Sequence, residues 1–297
     1  MNNEFSEGMV SVLIPVFNRV DYIAETLESI YSQTYKNIEI IAIDDGSTDG
    51  SYEYLESQRD TGKIQLFIHD NRVNKGQSAA LNLGLEKANG EFIAILDSDD
   101  LFEANKVDIQ VDYLRKNKNY GLVYGDGTAI DANGVFLHDI KGKYLTDPND
   151  PNAVLLDCYF LLPQNSLVTR KCFEKAGLFN ESYRAAQDHD MLIRICEVTN
   201  IAYIAKKIFK YRRHEDSISA SGQFNRWTTG FKILNEAKAR YPYKCSTIRK
   251  RKAVLHFRMF EVYSCKNADR NIFKGLLHLF YAGILDPIRA IKHLVEQ

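Results

Sequence analysis

The chain has 297 residues, of which 45% are hydrophobic and 26% are charged, and its formal net charge is −1. This length exceeds one average domain, and the near-neutral charge gives no sign of a nucleic-acid partner. No apolar run approaches the ~20 residues that cross a bilayer. The first residues lack a secretory signal, and the five cysteines lack paired metal spacing. We therefore expect a cytoplasmic protein with reduced thiols.

Two short apolar runs, residues 38–43 and 92–96, are rich in Ile, and an acidic turn follows each of them. Runs this uniformly apolar are typical of buried parallel strands. Helical patterns come after each strand, and this alternation predicts an α/β fold with a doubly wound sheet. In such sheets ligands bind beyond the carboxyl ends of the strands, where both acidic turns lie.

The acidic turns are residues 44–47 (DDGS) and residues 97–100 (DSDD). If the extended conformation persists, Asp97 and Asp99 point to the same side and can bind one cation. Such oxygen ligands suit Mg²⁺ or Mn²⁺, which would bridge to a diphosphate. Asp, Gly and Ser are also ordinary turn formers, so a structural role explains the first turn equally well. The crowded like charges of the second turn favour a bound cation.

The order and spacing of several motifs resemble those of glycosyltransferase family 2, over roughly residues 9–220. The matching motifs are VSVLIPVFN at 10–18, SIYSQTY at 29–35, IAIDDGSTD at 41–49, NKG at 74–76, DSDD at 97–100, GLFNE at 177–181 and QDHD at 187–190. The resemblance implies a GT-A (Rossmann-like) fold, with a mixed, mainly parallel sheet flanked by helices. It implies a catalytic domain over residues 1–220, in which residues 9–100 bind the nucleotide sugar and residues 101–220 bind the acceptor.

The resemblance also implies a donor site and a metal site. The implied donor-binding residues are Pro15, Val16, Phe17, Asp45, Lys75, Asp97 and Ser98, with Asp45 at the base and Asp97 at the ribose or donor sugar. The implied ligands of Mn²⁺ or Mg²⁺ are Asp99, with help from Asp97 or Asp100, and His214. Lys75 is equally typical of an exposed turn, and an isolated His among charged residues is more often simply solvated.

Asp188 takes the position of the family's catalytic base, which removes a proton from the acceptor hydroxyl in one inverting displacement. Gln187 stands where the family usually has an acid, and Arg19 stands at a position that is often acidic. By itself, Asp188 opens an amphipathic stretch and is equally well explained as a helix cap. Asp190, two residues later, is the competing candidate.

The resemblance implies an inverting, hexosyltransferase-type enzyme of cell-surface polysaccharide biosynthesis. Its donor would be a nucleotide-diphosphate sugar, most simply a UDP-sugar, and its acceptor a glycan or a lipid-linked glycan. Two alternatives stay open. A nucleotidyltransferase would usually have a Gly-rich, basic phosphate loop, which residues 15–18 do not provide. A non-catalytic sugar- or nucleotide-binding subunit is compatible with Gln187.

Residues 221–297 predict a C-terminal helical extension, with helices over 223–241, 247–265 and 272–295. A basic patch (Lys244, Arg249, Lys250, Arg251 and Lys252) and an apolar segment at 276–281 lie within it. These features fit either a packed core with a solvated face or peripheral contact with the inner face of the plasma membrane. The extension could also pair two copies in a homodimer. Trp227, Phe224 and Phe231 fit either an acceptor cleft or a helical core.

Overall fold

The structure is a computed structural model that describes residues 5–145, 147, 149–158, 160–214, 222–265 and 271–288. The chain divides into two compact units. The first comprises residues 1–149, 159–182 and 187–214, and the second comprises residues 150–158, 183–186 and 215–297. The expected domain boundary at residue 220 lies among residues 215–221, outside the described residues, so that division stays a prediction.

The first unit contains a mixed sheet, which has nine strands in the described part of the chain. The strands are β1 Ser6–Val16, β2 Ile38–Asp44, β3 Gln65–Ile68, β4 Gly90–Ile95, β5 Leu101–Phe102, β6 Tyr120–Ile130, β7 Phe136–Ile140, β8 Ser166–Thr169 and β9 Asn200–Arg212. Their order is β3-β2-β1-β4-β8-β6-β9-β5, and β7 pairs with β6. The strands β3, β2, β1 and β4 are mutually parallel, and β8 joins β4 and β6 in antiparallel fashion.

The α-helices are α1 Ile23–Tyr31, α2 Ser51–Asp60, α3 Gln77–Lys87, α4 Lys106–Lys116, α5 Pro151–Leu156, α6 Arg170–Ala176, α7 Gln187–Cys196, α8 Gln223–Arg240, α9 Cys245–Ser264 and α10 Ile272–Leu285. Helices α5, α8, α9 and α10 belong to the second unit. The predicted helices over 223–241 and 247–265 are α8 and α9. The helix predicted over 272–295 is α10, and residues 289–297 lie outside the described residues. Among the described helices, none combines the length and apolar character needed to span a bilayer.

Both faces of β1, β2 and β4 are largely buried, as the apolar runs in β2 and β4 predict, whereas β3 at the sheet edge is partly exposed. On one face, alternate residues of β1 from Val10 to Val16 share a core cluster with Ile23 and Leu27 of α1. On the other face α3 packs closely, since a Cβ at Gly84 would lie 2.9 Å from Cδ1 of Ile43. In register, Val16 pairs with Asp44 at the ends of β1 and β2. The loops after these strands and after β4 therefore emerge at one edge of the sheet.

Candidate functional site

Hydrogen bonds join the loops that follow β1 and β2. The main-chain N–H of Asn18 donates to Oγ of Ser47 (3.0 Å), and the N–H of Thr48 donates to Oδ1 of Asn18 (2.9 Å). Asn18 has a φ of 51°, a left-handed conformation that Asn tolerates better than most residues. Oδ2 of Asp44 accepts hydrogen bonds from the N–H groups of Gly46 and Ser47. Asp44 thus stabilises the turn itself.

Asp45 holds the loop that leads into α3. Its Oδ1 accepts a hydrogen bond from the N–H of Lys75 (2.8 Å), and its Oδ2 accepts one from the N–H of Gly76 (2.8 Å). The side chain is buried, and Nε2 of His69 lies 3.7 Å from Oδ1. The structure therefore places Asp45 and Lys75 side by side at the sheet edge, joined through the main chain of Lys75.

The three residues expected to bind the base of the nucleotide differ in solvent exposure. Pro15 and Val16 are buried at the end of β1, and Phe17 is 45% exposed just beyond it. The N–H of Asp45 donates to the carbonyl of Val16 (2.8 Å). Phe17 therefore offers an accessible aromatic ring beside the turn that carries Asp45.

The acidic residues after β4 lie in a turn. Strand β4 ends at Ile95, and the N–H of Asp100 donates to the carbonyl of Asp97 (3.1 Å). The proximity of Asp97 to Asp99 therefore comes from this turn and not from strand alternation. Burial, together with the charges of Asp99 and Asp188, raises the pKa of Asp97 to about 7. Such a cluster of like charges is typical of functional sites.

Asp99 lies between two cationic or potentially cationic side chains. Its Oδ2 accepts a hydrogen bond from Nε of Arg19 (3.0 Å) and lies 3.0 Å from Nε2 of His214. The His214 ring is buried and packs on Tyr22, and its Nδ1 has no hydrogen-bond partner among the described residues. His214 is therefore not a solvated surface residue but part of the acidic turn's surroundings.

Asp100 has a different role from its neighbours. Its Oδ2 accepts a hydrogen bond from Nε2 of Gln164 (2.7 Å), and its Oδ1 accepts one from the N–H of Arg212 (2.7 Å). Burial, with the charges of Asp99 and Asp97, raises the pKa of Asp100 well above its ordinary value. Both of its oxygens are thus engaged within the protein, an arrangement that suits an architectural role better than the expected help with metal binding.

Ser98 is buried, and its main chain is held from α1. The hydroxyl of Thr26 is within hydrogen-bond distance of the carbonyl oxygens of Ser98 (3.1 Å) and Asp100 (3.0 Å). These contacts hold the main chain of the turn that carries Asp97 and Asp99.

The two aspartates at the start of α7 are clearly distinguished. Asp190 is buried, and its Oδ2 accepts hydrogen bonds from Nε (3.0 Å) and Nη2 (2.8 Å) of Arg194. The side chain of Asp188 is 31% exposed and lines a mostly apolar pocket with Ile95 and Phe179. The start of a helix carries partial positive charge, which favours an ionised carboxylate. Asp188 is therefore the accessible acid.

A chain of amide hydrogen bonds connects α7 to the acidic turn. Nε2 of Gln187 donates to Oε1 of Gln77 (2.6 Å), and Nε2 of Gln77 donates to Oδ1 of Asp97 (2.9 Å). Sequence reasoning missed Gln77. It follows the NKG motif directly, but its two partners are distant in sequence, and Gln187 is 110 positions away. An acid at position 187 could not donate the first of these hydrogen bonds while ionised.

The donor atoms around Asp99 suit a divalent cation only in part. Among the described residues, no group of three or more His, Cys, Asp or Glu side chains is arranged to hold a metal. Asp99 and His214 do supply an oxygen and a nitrogen donor next to each other, and the acid at position 97 adds negative charge. This chemistry fits Mn²⁺ or Mg²⁺ if a bound ligand supplies the remaining oxygens.

The aromatic residues of the second unit form contacts within that unit. Trp227 is buried, and the guanidinium of Arg258 lies 5.6 Å from its ring centroid. Phe231 packs edge-on against His256, and Phe224 against Tyr263. Of the two interpretations of these residues, the helical core agrees with the contacts.

Comparison with known proteins identifies relatives of this chain. The family model for Glycosyl transferase family 2 matches residues 11–177. An uncharacterized glycosyltransferase of Rickettsia conorii is 34% identical over 217 residues, which are 70% of this chain and 34% of that relative. The chain therefore spans about a third of the length of this relative.

Two solved structures share the fold. S. aureus TarS 1–349, in complex with UDP-GlcNAc, superposes with a TM-score of 0.71 and 19% identity, covering 95% of this chain and 82% of that one. The mannosyltransferase PcManGT from Pyrobaculum calidifontis, in complex with GDP-Man and Mn²⁺, gives 0.62 and 20%, covering 97% and 78%. These likenesses confirm the predicted GT-A (Rossmann-like) fold, including the C-terminal helices.

Proposed function

Because the chain belongs to glycosyl transferase family 2, we propose that it transfers a sugar from a nucleotide-diphosphate donor to an acceptor hydroxyl. One observation carries this proposal. Gln187, the residue before Asp188 in α7, donates a hydrogen bond to Gln77, which in turn donates one to Asp97. An accessible carboxylate that can act as a base therefore lies near the acidic turn that is proposed to bind the nucleotide sugar.

We propose a UDP-sugar as the donor. The uracil would lie against Phe17 and the turn that carries Asp45, and Lys75 would stand near the diphosphate. Asp97 and Ser98 would line the ribose or the sugar. The complex of TarS with UDP-GlcNAc supports this choice, since that protein shares the fold. The hydrogen bonds from Lys75 and Gly76 to Asp45 would keep this part of the site in place before the donor arrives.

Asp99 and His214 are the residues that would hold Mn²⁺ or Mg²⁺, with Asp97 close by. When bound, such an ion neutralises negative charge on the departing diphosphate. The Arg19 guanidinium supplies positive charge at the same oxygen of Asp99. We propose that Arg19 keeps Asp99 in position before the donor binds.

Asp188 is the proposed base. It accepts the proton of the acceptor hydroxyl while that oxygen forms a bond to the anomeric carbon. The bond from this carbon to the diphosphate oxygen breaks at the same time, and its electron pair leaves with the nucleotide. The attack comes from the face opposite the leaving group, so the configuration inverts.

We propose a hydroxyl of a cell-surface glycan or lipid-linked glycan as the acceptor, and the cytoplasm as the place of reaction. A non-catalytic sugar-binding subunit is the second candidate, because Gln187 replaces the acid that usually precedes the base. The hydrogen bond from Gln187 to Gln77 favours the catalytic alternative, because through it the Gln187 amide holds the side chain that binds Asp97.

A thermal-shift panel tests the donor assignment. The purified chain is heated with UDP-GlcNAc, UDP-glucose, UDP-galactose or GDP-mannose, each with and without Mn²⁺. A ligand that binds only the folded protein raises its apparent stability. We expect at least one UDP-sugar to raise the unfolding midpoint, and Mn²⁺ to enlarge that shift. Asp99→Asn should abolish the enlargement, whereas Asp112→Asn, at an exposed acid of α4, should preserve it. A shift with GDP-mannose alone contradicts the UDP assignment, and no shift with any donor contradicts the function.

A further inference from the structure

Helix α10 presents large apolar side chains to solvent. Phe273 is 87% exposed and Phe280 is 63% exposed. The other exposed apolar residues of this face are Leu276, Leu277, Ile284 and Ile288, the last just beyond the helix. At helical spacing, the five of these residues that belong to the helix lie on one side of α10. A contiguous apolar surface of this kind marks an interaction site more often than chance exposure does.

The opposite side of α10 packs against α9 through small residues. Gly275 and Ala282 are buried, and a Cβ at Gly275 would already contact Tyr263 and Ser264. The helix therefore turns its small residues inward and its large apolar residues outward. Packing within the second unit does not explain this arrangement. The large apolar side chains, which could bury the most surface, are the ones left exposed to solvent.

Cationic side chains flank the apolar face. Arg249, Lys250 and Lys252 are exposed on α9, and Lys274 is exposed on α10. The Arg249 guanidinium donates a hydrogen bond to the carbonyl of Leu285, which places this cation beside the end of α10. Lys252 lies near His256, which contacts His278 of α10. Within the two described helices, Glu261 is the one acidic residue, and Arg258 pairs with it at 2.8 Å. Arg251, also in the basic patch of the sequence, is buried and donates to the carbonyl of Leu156.

We propose that the outer face of α10 docks on an anionic phospholipid membrane, with the helix lying in the plane of the interface. The apolar residues would enter the boundary between headgroups and acyl chains, while the flanking Lys and Arg side chains contact lipid phosphates. Charge complementarity selects this occupant over a second copy of the chain. Pairing two α10 faces would bring two sets of cations together. Glu261, already paired with Arg258, and Asp286 at the end of α10 are too few to compensate them, so repulsion opposes self-association.

The docking does not depend on the proposed sugar transfer. It needs the apolar face and the adjacent cations, both of which belong to the second unit. A cation next to an anionic surface contributes to binding by roughly fivefold in affinity, and an inserted Phe side chain by roughly tenfold or more. The loss of affinity on removing two cations and the loss on removing one Phe should therefore each be large enough to measure separately.

Sedimentation with vesicles tests the proposal. The full chain is mixed with vesicles of phosphatidylcholine alone, or of phosphatidylcholine with phosphatidylglycerol, and the bound fraction is measured after centrifugation. We expect binding to the mixed vesicles and little to phosphatidylcholine alone. Phe280→Glu should lower the affinity by roughly tenfold or more, and Lys252→Gln with Lys274→Gln by roughly 25-fold. Phe136→Glu, a matched change at an exposed Phe of β7, should leave binding unchanged.

Several results would overturn the proposal. The first is absence of binding to phosphatidylglycerol vesicles, and the second is binding by Phe280→Glu equal to that of the original chain. The third is a dimer in sedimentation velocity that Phe280→Glu dissociates, without vesicle binding, because a second copy would then cover the face. UDP-sugar thermal shifts, measured on Phe280→Glu in parallel, should be unchanged. They separate a failure of docking from a failure of the proposed function.

Discussion

Replacing Asp100 by Ala should destabilise the protein without removing its response to metal. The substitution leaves two buried donors without their acceptor: the amide of Gln164 and the main-chain N–H of Arg212, both at 2.7 Å in the structure. Each unsatisfied buried donor costs ~1–3 kcal/mol, so the two together cost ~2–6 kcal/mol. Relief of repulsion from Asp97 and Asp99 offsets part of this. We expect a net loss of about 2–4 kcal/mol.

Thermal unfolding measures this loss, which corresponds to a midpoint lower by about 3–6 °C for a chain of 297 residues. Asp112→Ala, at an exposed position, is the control and should change stability by less than about 0.5 kcal/mol. Below its midpoint, Asp100→Ala should still gain additional stability from Mn²⁺ in the presence of a UDP-sugar, whereas Asp99→Ala should not. If Asp100→Ala were as stable as the original chain but insensitive to Mn²⁺, Asp100 would be a metal ligand and our account of the turn would be refuted.

Three further predictions concern Asp188 as the base, the hydrogen bond from Gln77 to Asp97, and His256 of the second unit. Asp188→Asn should lower kcat for UDP release by about 10²–10⁴-fold with little change in donor KM, and equal turnover would exclude Asp188 as the base. Gln77→Leu removes a hydrogen bond to the Asp97 carboxylate and should raise donor KM by roughly tenfold while kcat changes less; a fall in kcat alone would contradict this role. Burial, with His278 and Lys252 nearby, lowers the pKa of His256 from 6.5 to about 4. The unfolded state therefore binds more protons between these values, and the free energy of unfolding should fall by roughly 1–2 kcal/mol as the pH drops through this window, after discounting for partial exposure. Urea unfolding of His256→Phe should show a shallower pH dependence than the original chain, and identical slopes would contradict the assignment.

The fold follows from local patterns that sequence reasoning detects well. The apolar runs at 38–43 and 92–96 are β2 and β4, because strands buried on both faces need apolar residues at nearly every position. The three-four spacing after residue 221 corresponds to α8, α9 and α10 in the described residues. The small strand β5 and the antiparallel insertion of β8 depend on pairing between distant segments, which no local pattern encodes.

The site is predictable in its position but not in the contacts of its members. The sequence places Asp97, Asp99 and Asp100 in one cluster, yet the turn after β4 gives them different neighbours. Asp99 lies beside Arg19 and His214, whereas Asp100 is held by groups that lie 64 and 112 positions away. Such long-range partners are set by tertiary packing. For the same reason the sequence gives no signal for Gln77, whose role depends on where α7 lies in the folded unit.

A metal-assisted inverting transfer with Asp188 as the base can be tested by following the slow hydrolysis of UDP-α-GlcNAc by time-resolved NMR in the presence of Mn²⁺. Water then takes the place of the unknown acceptor. We expect the β-anomer of the free sugar to appear first, before mutarotation, and Asp188→Asn to lose this signal while it still binds the donor. Initial release of the α-anomer would contradict inversion. Donor binding with no hydrolysis would contradict a catalytic role and support a binding subunit.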